Sequence, residues 1–237
     1  MGKQYQPTDK LAVILCDNYK MIQVLSRFGI ALGFGDKTVE EVCQKNNVDT
    51  YTFLMTLNFV YTGYVTYVSD EDIEALSLST LVDYLKQSHS YFLDFSIPTI
   101  RKQLLVAMDG AETQVEKMIM KFFDEYAESV NKHMRFENEK VFSFVHELIR
   151  GNQSSDFDFV NYKEEHEEIN ESLVELKNLL IKYYPSSASN NILNSVLYDI
   201  FRVEEELEDH NKIEDFLFIP AVLRLTKEDN STKGDNS

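Results

Sequence analysis

The sequence predicts an all-α protein, an up-down-up-down four-helix bundle preceded by a small three-helix module, on three observations. The 237 residues include only 4 prolines and 8 glycines, too few to punctuate a turn-rich β fold. Four long segments place apolar residues three and four apart, the spacing of one helix face. Each of those segments also carries one histidine on or beside its apolar seam: His89, His133, His166 and His210.

The first 65 residues read as the small module. Thr8 to Phe28 is amphipathic through Leu11, Ile14, Leu15, Met21, Ile22, Leu25 and Phe28, and Gly29 ends it. Gly29 to Lys37, with glycines at 29, 33 and 35, is a loop. Thr38-Val-Glu-Glu41 is a capping box, in which the threonine side chain and the glutamate three residues on satisfy each other's backbone donors. It opens a short helix that fades at Asn46-Asn47. Asp49 or Thr50 caps the next, which carries Phe53, Leu54, Leu57 and Tyr61. Residues 66–77 read as a linker, overlapping a stretch from Thr62 to Asp72 of mixed β-branched, aromatic and acidic residues.

The bundle is expected over 78–226. Its first helix sets Leu78, Leu81, Leu85, His89 and Phe92 on one face, and Asp109-Gly110 breaks it. The second runs from about Ala111 to Arg150, with Tyr126, Val130, His133, Glu137, Val141, Phe144 and Leu148 in line. A polar turn from Gly151 to Asp158 leads to the third, with Tyr162, His166, Ile169, Leu173, Leu176, Leu180 and Tyr183, closed by Pro185. The fourth, from about Ser189 to Leu225, aligns Val196, Ile200, Val203, Leu207, His210, Glu214, Leu217 and Ala221. Pro98 and Pro220 lie inside helical patterns, where each removes a backbone donor and disturbs the carbonyl four residues back, Asp94 and Phe216. Residues 227–237 are charged and small, the composition of a disordered tail.

On the second and fourth helices a histidine and a glutamate four residues apart share the apolar face: His133 with Glu137, His210 with Glu214. Burying a carboxylate or an imidazole is costly unless something meets it. A lone inward histidine is an ordinary core residue, and a single His–Glu pair at this spacing recurs on any charged helix. The conjunction of one histidine per helix with two carboxylates at matched offsets points instead to metal. From His89 to His133 is 44 residues, and from His166 to His210 is 44 again, the mark of a duplicated hairpin. Four imidazoles and two carboxylates exceed one tetrahedral zinc site. They suit two octahedral-leaning ions bridged by the carboxylates, iron above all, with manganese or zinc as substitutes. Positions then remain for an oxo or hydroxo bridge and a small ligand such as O2 or NO. The fifth histidine, His146, lies outside the pattern.

The net charge of −17 repels nucleic-acid phosphates and favours cations. No segment reaches membrane-spanning length, and the polar stretch from Met1 to Asp9 is unlike a signal peptide. Neither nucleic acid nor membrane is therefore expected as a partner. Cys16 and Cys43 form no CxxC motif and read as reduced, buried thiols of a cytoplasmic protein.

With these residues in hand, 78–225 resembles a hemerythrin-like (HHE) domain, and the whole chain is similar to the iron–sulfur cluster repair di-iron proteins. That family carries a histidine, then HxxxE, then a histidine, then HxxxE on successive helices, matched here by His89, His133 with Glu137, His166, and His210 with Glu214. The Ile-Pro after His89 and the Ile-Glu-Asp…Ile-Pro after His210 match as well. In the first helix the family often has a second histidine, where this chain has Ser88 and Ser90. Leu25-Ser-Arg-Phe-Gly-Ile, Lys37-Thr-Val-Glu-Glu-Val-Cys43 and Val48-Asp49 resemble the family's short leader domain. Its adjacent cysteines are absent from the glycine loop.

The resemblance implies a non-haem pair of iron ions, O2 or NO as the small ligand, and damaged iron–sulfur proteins as partners. It implies a role in nitrosative and oxidative stress, with redox turnover and a homodimer both left open. An O2 or NO carrier or sensor without turnover is the alternative, although no kinase-like or DNA-reading output module accompanies the bundle. Glu206, four before His210, and Tyr162, four before His166, are the candidates for orienting ligand imidazoles; each is more readily a solvated charge or a core aromatic.

Overall fold

The computed structural model describes residues 4–63, 68–108, 113–152, 162–184 and 190–234; the side chains of 162–168, 170, 190 and 227–234 are outside that description. Among the described residues every regular element is helical, and the only β pairing is an isolated bridge between Lys10 and Thr38. The chain divides into two compact units, one of residues 1–88, 142–155 and 212–237, the other of 89–141 and 156–211.

The first unit opens with α1 (Leu11–Asp17) and α2 (Met21–Arg27) in place of the single helix expected over Thr8–Phe28. The break is at Asn18, whose backbone is extended and whose Oδ1 accepts the Lys20 N–H at 3.1 Å. A short amide side chain offers the backbone this alternative to the helix ladder. Gly29 ends α2 as expected, at φ 70, a left-handed position glycine occupies without strain. The Thr38–Glu41 box opens α3 (Val39–Lys45), and Asp49 caps α4 (Thr50–Tyr61). Phe28 packs against Phe53 and Tyr84, with ring centres 5.0 and 4.7 Å away. Cys43 is buried in this core, whereas Cys16 is exposed, because Leu11 and Ile14 take the inward face of α1. The expectation of two buried thiols holds for Cys43 alone.

A short helix, α5 (Asp70–Ala75), lies within the expected linker span, capped by Ser69 and Asp72 in a second box. Tyr51 donates to Asp72 Oδ1 at 2.6 Å. Then α6 (Leu78–Ser90) begins; Ser77 N–H donates to Thr52 Oγ1 at 2.8 Å, tying its start to α4. The same unit holds α9 (Phe142–Ile149) and α12 (Ile219–Gly234), whose Arg224 pairs with Glu74.

The second unit is built from the helix pairs that sequence periodicity marks: a π turn (Tyr91–Ser96) with α7 (Ile97–Ala107), then α8 (Gln114–Phe136), α10 (Tyr162–Tyr183) and α11 (Asn190–Ile213). Phe92, Leu104, Ile119, Phe123, Leu173, Leu176, Val196, Ile200 and Val203 fill its core. Thr113 and Glu116 box the start of α8. Arg101 pairs with Asp124, and Lys177 with Glu204, on its more polar margins.

Neither inserted proline simply kinks its helix. Ahead of Pro98 the Ile97 N–H reaches Phe92 O, five residues back, within the π turn Tyr91–Ser96. Ahead of Pro220 the Ile219 N–H reaches Glu214 O within the π turn Glu214–Phe218. A widened turn accommodates the missing donor and the ring's pressure on the carbonyl four residues back. A third π turn, Glu137–Val141, has no proline. Each widened turn rotates the residues beyond it. Beyond Glu137 the expected Val141 and Leu148 are buried, Phe144 is only half-buried, and Phe142 and Val145 are buried as well.

Candidate metal centre

Three of the four histidine-bearing segments bring their histidine to the centre, each in a different way. His89 stands in the last turn of α6, immediately before the Tyr91–Ser96 π turn. His133 stands in the last turn of α8 and Glu137 at the first position of the next π turn. His210 lies near the end of α11, and Glu214 opens the third π turn. Three of the helices thus change winding at the level of a predicted ligand. π turns are rare, and they concentrate at functional sites.

His89, Glu137, His210 and Glu214 are all buried, and one ligand atom from each lies within 4.8 Å of the others. The contacts are close. His89 Nε2 is 3.2 Å from Glu137 Oε2 and 3.2 Å from His210 Nε2. Glu137 Oε1 is 3.3 Å from His133 Nε2, so the two oxygens of one carboxylate face two different imidazoles. His133 is 7% exposed and touches Glu137 without belonging to the tightest group of four. The helix of His166 is described but its side chain lies outside the described residues, as does that of Tyr162.

Burial by itself would push the Glu137 carboxyl up; the adjacent His133 and His89 imidazoles outweigh it and hold the group well below the usual carboxylate range. Glu137 itself is fully buried. Phe92 lies edge-on to the His210 ring at 6.0 Å, which keeps this side of the site apolar. Imidazole nitrogens and carboxylate oxygens converging in a dry interior form a donor set for a transition-metal cation. A positive ion placed among them offsets the cost of burying the carboxylates. The residues present fit such an ion.

Other positions resolve differently. Ser88, where the resembling family often has a second histidine, is buried and donates to the Tyr84 carbonyl at 3.0 Å. His146 is half-buried beside Lys86 Nζ at 3.0 Å, in a contact of its own. Glu206 is buried near Arg202 Nε at 3.8 Å and beside Tyr91, whose hydroxyl is pushed up by burial and then by the Glu206 charge. Sequence reasoning missed Asn138, whose Oδ1 lies 3.0 Å from His89 Nδ1. Nothing in helical periodicity marks it, since it directly follows Glu137 and only a widened turn gives both residues access to the interior.

The model of the hemerythrin HHE cation binding domain matches residues 80–222. That span takes in all six predicted ligands. No curated protein matches the chain. Among the described residues no helix is long and apolar enough to cross a membrane.

Proposed function

The chain belongs to the hemerythrin HHE cation-binding family, and from that membership we propose that it is a non-haem di-iron protein of nitrosative and oxidative stress. Its ligands in this reading are His89, His133, Glu137, His166, His210 and Glu214. The observation that carries the reading is the setting of Glu137. One of its oxygens lies beside His133 Nε2 and the other beside His89 Nε2, an arrangement suited to a carboxylate that spans two cations. Glu214, equally buried and one turn beyond His210, is the second bridge by the same spacing.

Two irons held by these residues would together supply the electrons for reduction of a bound O2 or NO. The residues supply the setting. The imidazoles give neutral terminal donors, and the two glutamates offset the positive charge. Phe92 and the apolar seam exclude water from the His210 side. Support for work on damaged iron–sulfur clusters comes from the resemblance of residues 25–49 to the leader of the cluster-repair proteins. The protein is proposed to act in the cytoplasm.

The test is anaerobic. Iron-loaded, reduced protein is expected to bind NO and to restore an iron–sulfur enzyme inactivated by NO. Failure of both overturns the proposal. Reversible O2 binding with no repair would establish the carrier reading instead.

A further inference from the structure

We propose that Asn138 is a positioning residue for this centre: its side-chain oxygen accepts a hydrogen bond from the Nδ1–H of His89 and so holds that imidazole with its Nε2 edge turned toward Glu137 and His210. The inference rests on the cation-centre reading given above.

The geometry is specific. Asn138 Oδ1 lies 3.0 Å from His89 Nδ1, and on the opposite edge of the same ring Nε2 lies 3.2 Å from both Glu137 Oε2 and His210 Nε2. A neutral imidazole carries its proton on one nitrogen and a lone pair on the other. The partner of one nitrogen decides which form is held. An amide oxygen only accepts, so against it Nδ1 must donate, and the lone pair falls on Nε2. The reverse amide orientation would donate to Nδ1 and place the proton on Nε2, among atoms that need a cation there.

The backbone explains why Asn138 can do this. In an α-helix of 3.6 residues per turn, consecutive side chains diverge by roughly 100°, so a residue following a buried glutamate ordinarily turns outward. Glu137 and Asn138 open the π turn Glu137–Val141, whose wider winding brings successive residues nearer to one face. Glu137 is buried and Asn138 half-buried, and both reach His89. An amide also suits the position chemically. It orients the ring without adding a further negative charge to a centre that already contains Glu137 and Glu214.

The experiment uses the full chain labelled with ¹⁵N-histidine, first free of metal. Long-range ¹H–¹⁵N correlation spectra report the tautomer of each imidazole, and the His89 signals are those lost in His89→Gln. Wild type is expected to keep a proton on His89 Nδ1, against the Asn138 oxygen. Asn138→Asp, which keeps an acceptor, should retain it, whereas Asn138→Leu, close in size but with no acceptor, should shift His89 toward the Nε2–H form. Anaerobic Fe(II) titration of the same proteins should then show binding weakened roughly 10–100-fold in Asn138→Leu and largely preserved in Asn138→Asp. Helical circular dichroism confirms that each variant is folded. An Nε2–H His89 in wild type, or a tautomer unchanged in Asn138→Leu, overturns the assignment. A shifted tautomer with unchanged Fe(II) affinity overturns the role toward the metal. If wild type binds no Fe(II), the centre reading itself fails, and the tautomer measurement, made without metal, shows that failure separately.

Discussion

Glu137 and Glu214 are the residues on which the two-metal reading depends most directly. Replacing either with alanine removes an anionic bridge and leaves neighbouring cations to repel each other. Glu137→Ala and Glu214→Ala are each expected to lose at least one of two irons. His146→Ala, which alters only the separate contact with Lys86, should keep both. Inductively coupled plasma analysis of the three variants decides this, and full iron in both glutamate variants would remove the bridging assignment. The cysteines give a second prediction at this scale. Burial pushes the Cys43 thiol from its ordinary 9.0 up to about 12, so the folded chain keeps a proton that the unfolded chain releases. That contribution to stability is fully present below pH 9 and is lost as pH rises toward 12. Urea unfolding should therefore weaken less steeply over this range in Cys43→Ala than in wild type. Iodoacetamide should label the exposed Cys16 in the native chain and Cys43 only in denaturant.

At the scale of elements, ends and winding matter more than propensity. The start of α8 is held by the reciprocal bonds of Thr113 and Glu116, with Glu116 N–H to Thr113 Oγ1 at 3.3 Å and Thr113 N–H to Glu116 Oε2 at 2.9 Å. Thr113→Ala leaves the Glu116 N–H to water and should cost about 1 kcal/mol. The loss would appear as a lower urea midpoint with an unchanged slope. Since His133 and Glu137 lie at the far end of α8, iron content should not change; a variant that lost iron would show that the cap governs the site as well. Simple periodicity names buried residues beyond each ligand as well as before it: Val141, Leu148, Leu217 and Ala221 are buried, and in the second helix's expected line only Phe144 is half-buried. Leu81, Leu85, His89 and Phe92 are buried as a 3.6-residue period requires. After Glu137 the buried set also takes in Phe142 and Val145, since a turn closed five residues back inserts an extra position. Pro98 and Pro220 signal two such turns in the sequence. Glu137–Val141 contains no proline, and no residue type announces it.

For the whole molecule, the expectation concerns the coupling of metal to folding. Buried carboxylates that await a cation make the metal-free protein less stable than its apolar seams alone would make it, and binding to the native state alone adds RT ln(1 + [L]/Kd). At a free metal concentration 100 times Kd this amounts to about 2.7 kcal/mol, or a rise of roughly 5–10 °C in Tm for a chain of this size. Chelator-treated protein should therefore melt lower, and Fe(II) should raise its Tm in a concentration-dependent way. A Tm indifferent to iron at saturating concentration would argue that the His and Glu residues satisfy one another without metal. The formal charge of −17 adds a general attraction for cations that salt screens. The specific part of the shift should thus persist at high ionic strength.

The sequence by itself determined the all-helical class, the caps at Thr38 and Asp49, and the residues that converge in the centre. These follow from local rules: helical periodicity, capping chemistry and the cost of burying His210 or Glu214 on an apolar face. It did not determine that Thr8–Phe28 divides at Asn18, because the periodicity of Leu11 to Phe28 is the same whether or not one amide captures the Lys20 N–H. Nor did it mark Ser69 and Asp72 as a cap, since a six-residue, mostly acidic segment has no apolar repeat to announce a helix. Only the tertiary structure decided which atoms meet. That Glu137 directs one oxygen to His133 and the other to His89, and that Asn138 lies against the far side of the His89 ring, depends on π winding at one turn of one helix. The contacts with His89 join residues far apart in the chain, and no local pattern records them.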